Sequence, residues 1–95
     1  MRSYEVAVVL KPNVEEEKSE TLFGKLTSLV ESEGGTVGGI SRLGKRRLAY
    51  EVDNSREGNY TIFKFQGGRR LPFEVGRMLR LSEEVLRHLI IREQA

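Results

Sequence analysis

An α+β fold, with a four-stranded antiparallel sheet carrying two helices on one face, is predicted by three features of the sequence. Hydrophobic periodicity runs in the order strand, helix, strand, strand, helix, strand. A polar stretch at residues 53–58 separates the two middle strands in the manner of a hairpin. No Pro-, Gly- or Ser-rich linker interrupts the 95 residues, so residues 1–95 read as a single domain. Two βαβ units joined by a hairpin make the split βαβ, or ferredoxin-like, sandwich.

The first strand is expected at residues 4–10, where Val6, Ala7, Val8, Val9 and Leu10 are apolar on both faces before Lys11-Pro12-Asn13 turns the chain. Asn13 and Glu16 have the spacing of a capping box, and Glu15, Glu16 and Glu17 suit the positive end of a helix dipole. Leu22, Phe23, Leu26, Leu29 and Val30 follow at helical spacing until Gly34-Gly35 ends the helix. Residues 36–52 read as a long broken strand. Val37 and Leu43 share one parity and Leu48, Tyr50 and Val52 the other, so a bulge near Gly44 is expected to bring both sets to the core side. In the strand at 60–65, Thr61, Phe63 and Phe65 form one face, and Tyr60, Ile62 and Lys64 the other. Pro72 suits a helix start after Gly67-Gly68 and Arg69-Arg70, and Leu71, Val75, Met78 and Leu79 supply its apolar face. Residues 85–92 admit two readings: Ser82-Glu83-Glu84 offers a helix start, whereas Leu89-Ile90-Ile91 favours a strand.

Composition narrows the function. The chain has no cysteine, which excludes disulfides, thiolate metal sites and a Cys nucleophile, and its one histidine, His88, makes a His-based triad hard to build. The longest apolar run, residues 6–10, is far too short to span a bilayer, and no signal-peptide pattern follows Met1, so a cytoplasmic location is expected. Neither a Walker-type loop nor G-x-G-x-x-G occurs among the glycines. Net charge is +2 but unevenly spread. Residues 1–40 hold four basic and seven acidic side chains, a net −3, and residues 41–95 twelve and seven, a net +5. Eleven of the sixteen basic residues are Arg, and Arg42, Lys45, Arg46 and Arg47 cluster with no acid between Ser41 and Tyr50, a pattern that favours a polyanionic partner.

The predicted topology leaves one sheet face uncovered, with Ala7, Val9, Tyr60 and Ile62 projecting from it to form an apolar docking patch. Glu57-Gly58-Asn59-Tyr60-Thr61-Ile62-Phe63 keeps the Gly and one aromatic of the RRM signature, but Ile62 occupies a would-be stacking position. RNA contact is therefore expected from cations on phosphates: Lys45, Arg46 and Arg47 on the hairpin, and Arg2, Arg87 and Arg92 on the first and last strands. Those last three approach a common face or edge only if residues 85–92 form a strand. Arg69 and Arg70, at the start of the second helix, are weaker candidates for the same grip, because flanking a turn also accounts for them.

The run Leu43-Gly44-Lys45-Arg46-Arg47-Leu48-Ala49-Tyr50 resembles the central motif of the bacterial small-subunit ribosomal protein S6 family. The opening Met1-Arg2-Ser3-Tyr4-Glu5, the hairpin Glu57-Gly58-Asn59-Tyr60 and the closing segments Leu79-Arg80-Leu81 and Val85-Leu86-Arg87-His88 are similar to that family in the same order. Asn59 and Ile62 stand where members often carry aromatics, and Glu93-Gln94-Ala95 differs from the acidic tail of some members. The resemblance implies a structural protein of the small ribosomal subunit, with no enzymatic activity and no cofactor or metal. Its implied partners are the central domain of the small-subunit ribosomal RNA and the neighbouring ribosomal protein S18, as a heterodimer; the apolar patch of Ala7, Val9, Tyr60 and Ile62 is where the open-sheet reading expects that protein to dock. Two other readings stand beside it. A ferredoxin-like small-molecule-binding regulatory domain would have no need of Arg42, Lys45, Arg46 and Arg47. An acylphosphatase-type enzyme would need an Arg in the loop after the first strand, where this chain has Lys11-Pro12-Asn13.

Overall fold

The computed structural model describes residues 1–52 and 54–93. Its elements are β1 (Arg2–Leu10), α1 (Glu16–Ser32), β2 (Thr36–Val52), β3 (Ser55–Gly67), α2 (Leu71–Leu81) and β4 (Val85–Arg92). The strands form one sheet in the order β2-β3-β1-β4, with every neighbouring pair antiparallel. Residues 85–92 are thus a strand, and the split βαβ topology is complete.

Period-two alternation builds the core. Tyr4, Val6 and Val8 of β1 lie opposite Phe65, Phe63 and Thr61 of β3, and all six are buried on the helix side. Leu22, Phe23, Leu26 and Val30 of α1 and Leu71, Val75 and Leu79 of α2 close over them. Each fully buried side chain of this kind contributes about 1.5–3 kcal/mol of transfer free energy. Phe63 adds offset ring contacts to Phe23 at 6.2 Å and to Phe65 at 5.9 Å.

Four sequence expectations need correction. The first concerns the start of α1. The helix begins at Glu16 with Glu15 as its N-cap, and no side chain caps it. Asn13 belongs instead to the preceding turn, where the Val14 N–H donates to the Lys11 carbonyl at 3.3 Å. Turning off β1 consumes Pro12-Asn13, and the start of the helix relies on Glu16 and Glu17 against its dipole. Its end is as expected: Gly34 N–H donates to Glu31 O and Gly35 N–H to Val30 O, the paired bonds of a Schellman turn.

The second and third corrections concern β2 and its hairpin. A bulge between Arg42 and Gly44 is present, with Gly44 at φ +85°, a conformation that costs a side-chain-bearing residue. A further irregularity between Val37 and Gly39 places Ile40, not Leu43, opposite Phe63 on the helix side, and Leu43 stays exposed. Leu48, Tyr50 and Val52 do not reach the core. A third irregularity between Arg47 and Val52 lets the hairpin twist past the end of β1 and over the open sheet face. Gly58 allows the close approach: a Cβ there would lie 2.5 Å from Val9 Cγ1 and 3.7 Å from Leu48 Cδ2. The polar stretch expected as a turn over 53–58 is mostly ladder, because Arg47 faces Glu57 and Arg46 faces Gly58, an opposite-charge pairing that continues the strands. Strand pairing resumes at Ser55 after Asn54, which has φ 63°. Asp53, expected in that turn, and the terminal Gln94 and Ala95 lie outside the described residues.

The fourth correction is Val9. It points to the open face as expected, yet it is only 4% exposed, because Gly58 of the hairpin lies against it, with Leu48 close by on the other side of Gly58.

Candidate nucleic-acid and protein interface

Register defines the open face row by row. Ala7 sits between Ile62 and Leu89, Val9 between Tyr60 and Arg87, and Glu5 between Lys64 and Ile91. The middle row, Ile62–Ala7–Leu89, is wholly apolar, and polar or charged residues stand on both sides of it. Ala7, Tyr60 and Ile62 are half-buried, whereas Leu89 is 57% and Ile91 50% exposed. Leu89 and Ile91 extend the patch beyond the residues expected from sequence. Their parity would have revealed them once the last segment was read as a strand beside β1.

The basic hairpin lies at the end of the sheet where β1 finishes. Lys45, Arg46 and Arg47 face Asn59, Gly58 and Glu57 across β2 and β3, and all three are exposed. Arg42 stands apart from them. It lies opposite Thr61 on the helix side and forms an ion pair with Glu16 of α1. Arg87 of β4 joins the hairpin group by reaching across the sheet: its Nη1 donates to Tyr50 Oη at 2.9 Å, and its guanidinium lies 5.8 Å from the Tyr50 ring centroid.

Arg2, Arg87 and Arg92 do not share one face. Arg92 lies opposite Tyr4, and Arg2 precedes Tyr4 by two residues, so both have helix-side parity at the far end of the sheet. Arg87 lies opposite Val9 on the open side. Seven residues separate Arg2 from Val9 along β1, about 23 Å of extended chain. Strand alternation, which the sequence showed, and antiparallel register, which it did not, together split the expected group in two.

His88 faces the other way, opposite Val8 and against Gly76 of α2. Partial burial, with the Arg80 charge as a smaller cause, holds its imidazole below the usual value of 6.5. A cleft of about 190 Å³ lies on the helix side, between α1 and β2, lined in part by Leu10, Ser19, Arg42, Asn59 and Thr61 and flanked by the Arg42–Glu16 pair. No cluster of metal-ligating side chains occurs among the described residues.

An open antiparallel sheet with an apolar central row and a basic hairpin at one end defines a small α+β protein of the ferredoxin-like class. Comparison with known proteins makes this specific. The family model of ribosomal protein S6 matches residues 3–92. The small ribosomal subunit protein bS6 of Natranaerobius thermophilus is 46% identical over 94 residues, covering 99% of this chain and 98% of the relative. That of Carboxydothermus hydrogenoformans is 42% identical over 93 residues, covering 98% and 97%. The crystal structure of 30S ribosomal protein S6 from Thermotoga maritima superposes with a TM-score of 0.87 at 30% identity, covering 97% of this chain and 87% of that one. The chain belongs to the ribosomal protein S6 family. It is a structural, RNA-binding component of the small ribosomal subunit and not an enzyme, and this family places it in the cytoplasm.

Proposed function

We propose that this chain, acting as one domain, binds the central domain of the small-subunit ribosomal RNA as a heterodimer with ribosomal protein S18. The apolar Ile62–Ala7–Leu89 row, bordered by Arg87 and the basic hairpin, carries this reading. Such a row is too apolar to favour solvent and too poor in aromatics to stack bases, so it suits a protein partner. Tyr60 buries its ring at the rim while its hydroxyl remains hydrated. Val9 supports the face from beneath the hairpin. Lys45, Arg46, Arg47 and Arg87 lie at the edge of this docking face, where they and the partner's cations form one continuous positive surface. Joining two modest basic surfaces releases more counterions than either does alone, so the pair binds RNA more tightly and with steeper salt dependence. Arg2 and Arg92 supply a separate phosphate contact at the far end of β1.

Two measurements test the assignment. Ile62→Asp should abolish co-purification with S18 while leaving the fold intact; wild-type assembly would move docking to another edge. Replacing Lys45, Arg46 and Arg47 together with Ala should lower the log–log salt slope of RNA binding by roughly one for each lost phosphate contact. An unchanged slope would make these residues a solvated edge. Hydroxyl-radical footprints unaltered in Arg2→Ala and Arg92→Ala would remove the second contact.

A further inference from the structure

Helix α2 has an outward face that neither the core nor the proposed docking face uses. Leu71, Val75, Gly76 and Leu79 are buried on its inner side, and Gly76 rests beside Ile90 and His88 of β4. Stepping about 100° per residue puts Arg70, Phe73, Arg77 and Arg80 within an outer arc of about 80°. Arg70 belongs in this arc because its backbone is already helical, at φ −81° and ψ −22°. Phe73 is 78% exposed, the most exposed of the chain's aromatic side chains and one that contributes nothing to the core. Arg69, Arg70, Arg77 and Arg80 are all exposed. Among the described residues the ion pair formed is Arg42–Glu16, so these four arginines hold no carboxylate. Glu74 is the one acid on the helix.

The local structure does not account for this composition. Arg69 and Arg70 precede the helix at the positive end of its dipole, where cations are disfavoured. An exposed Phe in a short helix adds neither core packing nor solubility. A ring flanked by unpaired guanidinium groups does match single-stranded nucleic acid, in which a base stacks on the aromatic face and adjacent phosphates meet cations.

We propose that the outer face of α2, formed by Arg69, Arg70, Phe73, Arg77 and Arg80, is a second RNA-binding surface that takes an unpaired base on Phe73 and its flanking phosphates on the arginines. It points away from the open sheet face, so the chain contacts RNA on the side opposite its protein partner. Charge complementarity selects the ligand, because an exposed ring with Arg70 and Arg77 one turn to either side, and Arg69 and Arg80 beyond them, fits a polyanion with π-faces.

The test uses the full chain and a ten-nucleotide single-stranded RNA of A and U, followed by fluorescence anisotropy at low salt. The Lys45, Arg46, Arg47→Ala background removes the hairpin contribution. In that background Phe73→Ala should weaken binding about tenfold, Phe73→Trp should restore it, and thermal unfolding should not move. Arg77→Ala with Arg80→Ala should reduce the log–log salt slope by about 1.4, the single-strand value for two lost contacts. Unchanged affinity and slope in both variants would overturn the inference. So would an oligoglutamate peptide that binds the same face as tightly as the RNA, which would assign it to an acidic protein. Loss of oligonucleotide binding in the hairpin variant, with no further loss on changing α2, would support the hairpin reading and overturn this one.

Discussion

The two faces of the sheet are made from the same strands and serve opposite ends. On the helix side, Tyr4, Val6, Val8, Phe63 and Phe65 are at most 4% exposed and interlock with two helices. On the open side, one residue along in each strand, Ala7 and Ile62 are half-buried, and Leu89 and Ile91 expose half or more of their surface. Val9 is the exception, and its cover is a curled hairpin, not a helix. The difference shows how period-two alternation separates stability from recognition. A helix-covered face is optimised for packing, whereas an uncovered one leaves apolar surface exposed, which is what the proposed partner would use.

Phe63→Ala should strike the covered face hardest. Removing this fully buried ring from between Phe23 and Phe65 should cost about 3–5 kcal/mol, read from the urea midpoint, which is much of a small domain's stability. A loss below about 1 kcal/mol would mean that the helix side does not dominate folding.

Val9→Asp and Ile62→Asp sharpen the contrast within the open face. Val9 lies beneath the hairpin, so a carboxylate there should cost about 2–3 kcal/mol of stability as well as partner binding. Ile62→Asp should lose binding with little change in the melting temperature. Equal melting temperatures for the two variants would show that the hairpin does not seal Val9 in solution.

Tyr50→Phe should have a smaller effect, because it keeps the ring near Arg87 and removes only the hydroxyl acceptor. Global stability should fall by less than about 1 kcal/mol, while hairpin amides exchange faster. Unchanged exchange would mean that the Tyr50–Arg87 contact does not hold the hairpin over the sheet.

The smallest expected effect belongs to His88 on the helix side. Its folded pKa lies below the unfolded value of 6.5, so the unfolded chain binds the proton more readily. Stability should therefore fall as pH drops from about 6.5 toward the folded pKa, with no contribution above that window. In His88→Gln this component of the pH dependence should vanish, and its persistence in urea titrations would assign the effect to other groups.

Much of this contrast was legible in the sequence because periodicity is a local property. Thr61, Phe63 and Phe65 declared an inward face within five residues, and Leu22, Phe23, Leu26 and Val30 declared a helix stripe. The basic cluster at Lys45, Arg46 and Arg47 was equally plain. The capping box at Asn13 was local too, but it competed with the Pro12-Asn13 turn, and the turn prevailed because β1 has to reverse direction before α1 can begin. Leu48 and Tyr50 were misplaced for a different reason. One extra bulge changes the side on which every later residue of a strand falls, and an edge strand has only one partner to hold its register.

The amino-acid sequence by itself determined the element order, the core stripe of each helix, the faces of β1 and β3, and the basic character of the hairpin. Each follows from spacing along a few residues and from charges the chain carries wherever it folds. Only the tertiary structure decided that the hairpin folds back over Val9, that Tyr50 meets Arg87, and that Arg2 and Arg92 stand at the end of the sheet away from Arg87. Those outcomes depend on antiparallel register and on twist accumulated across strands. Both are fixed by contacts between residues distant in sequence, where no local pattern records them.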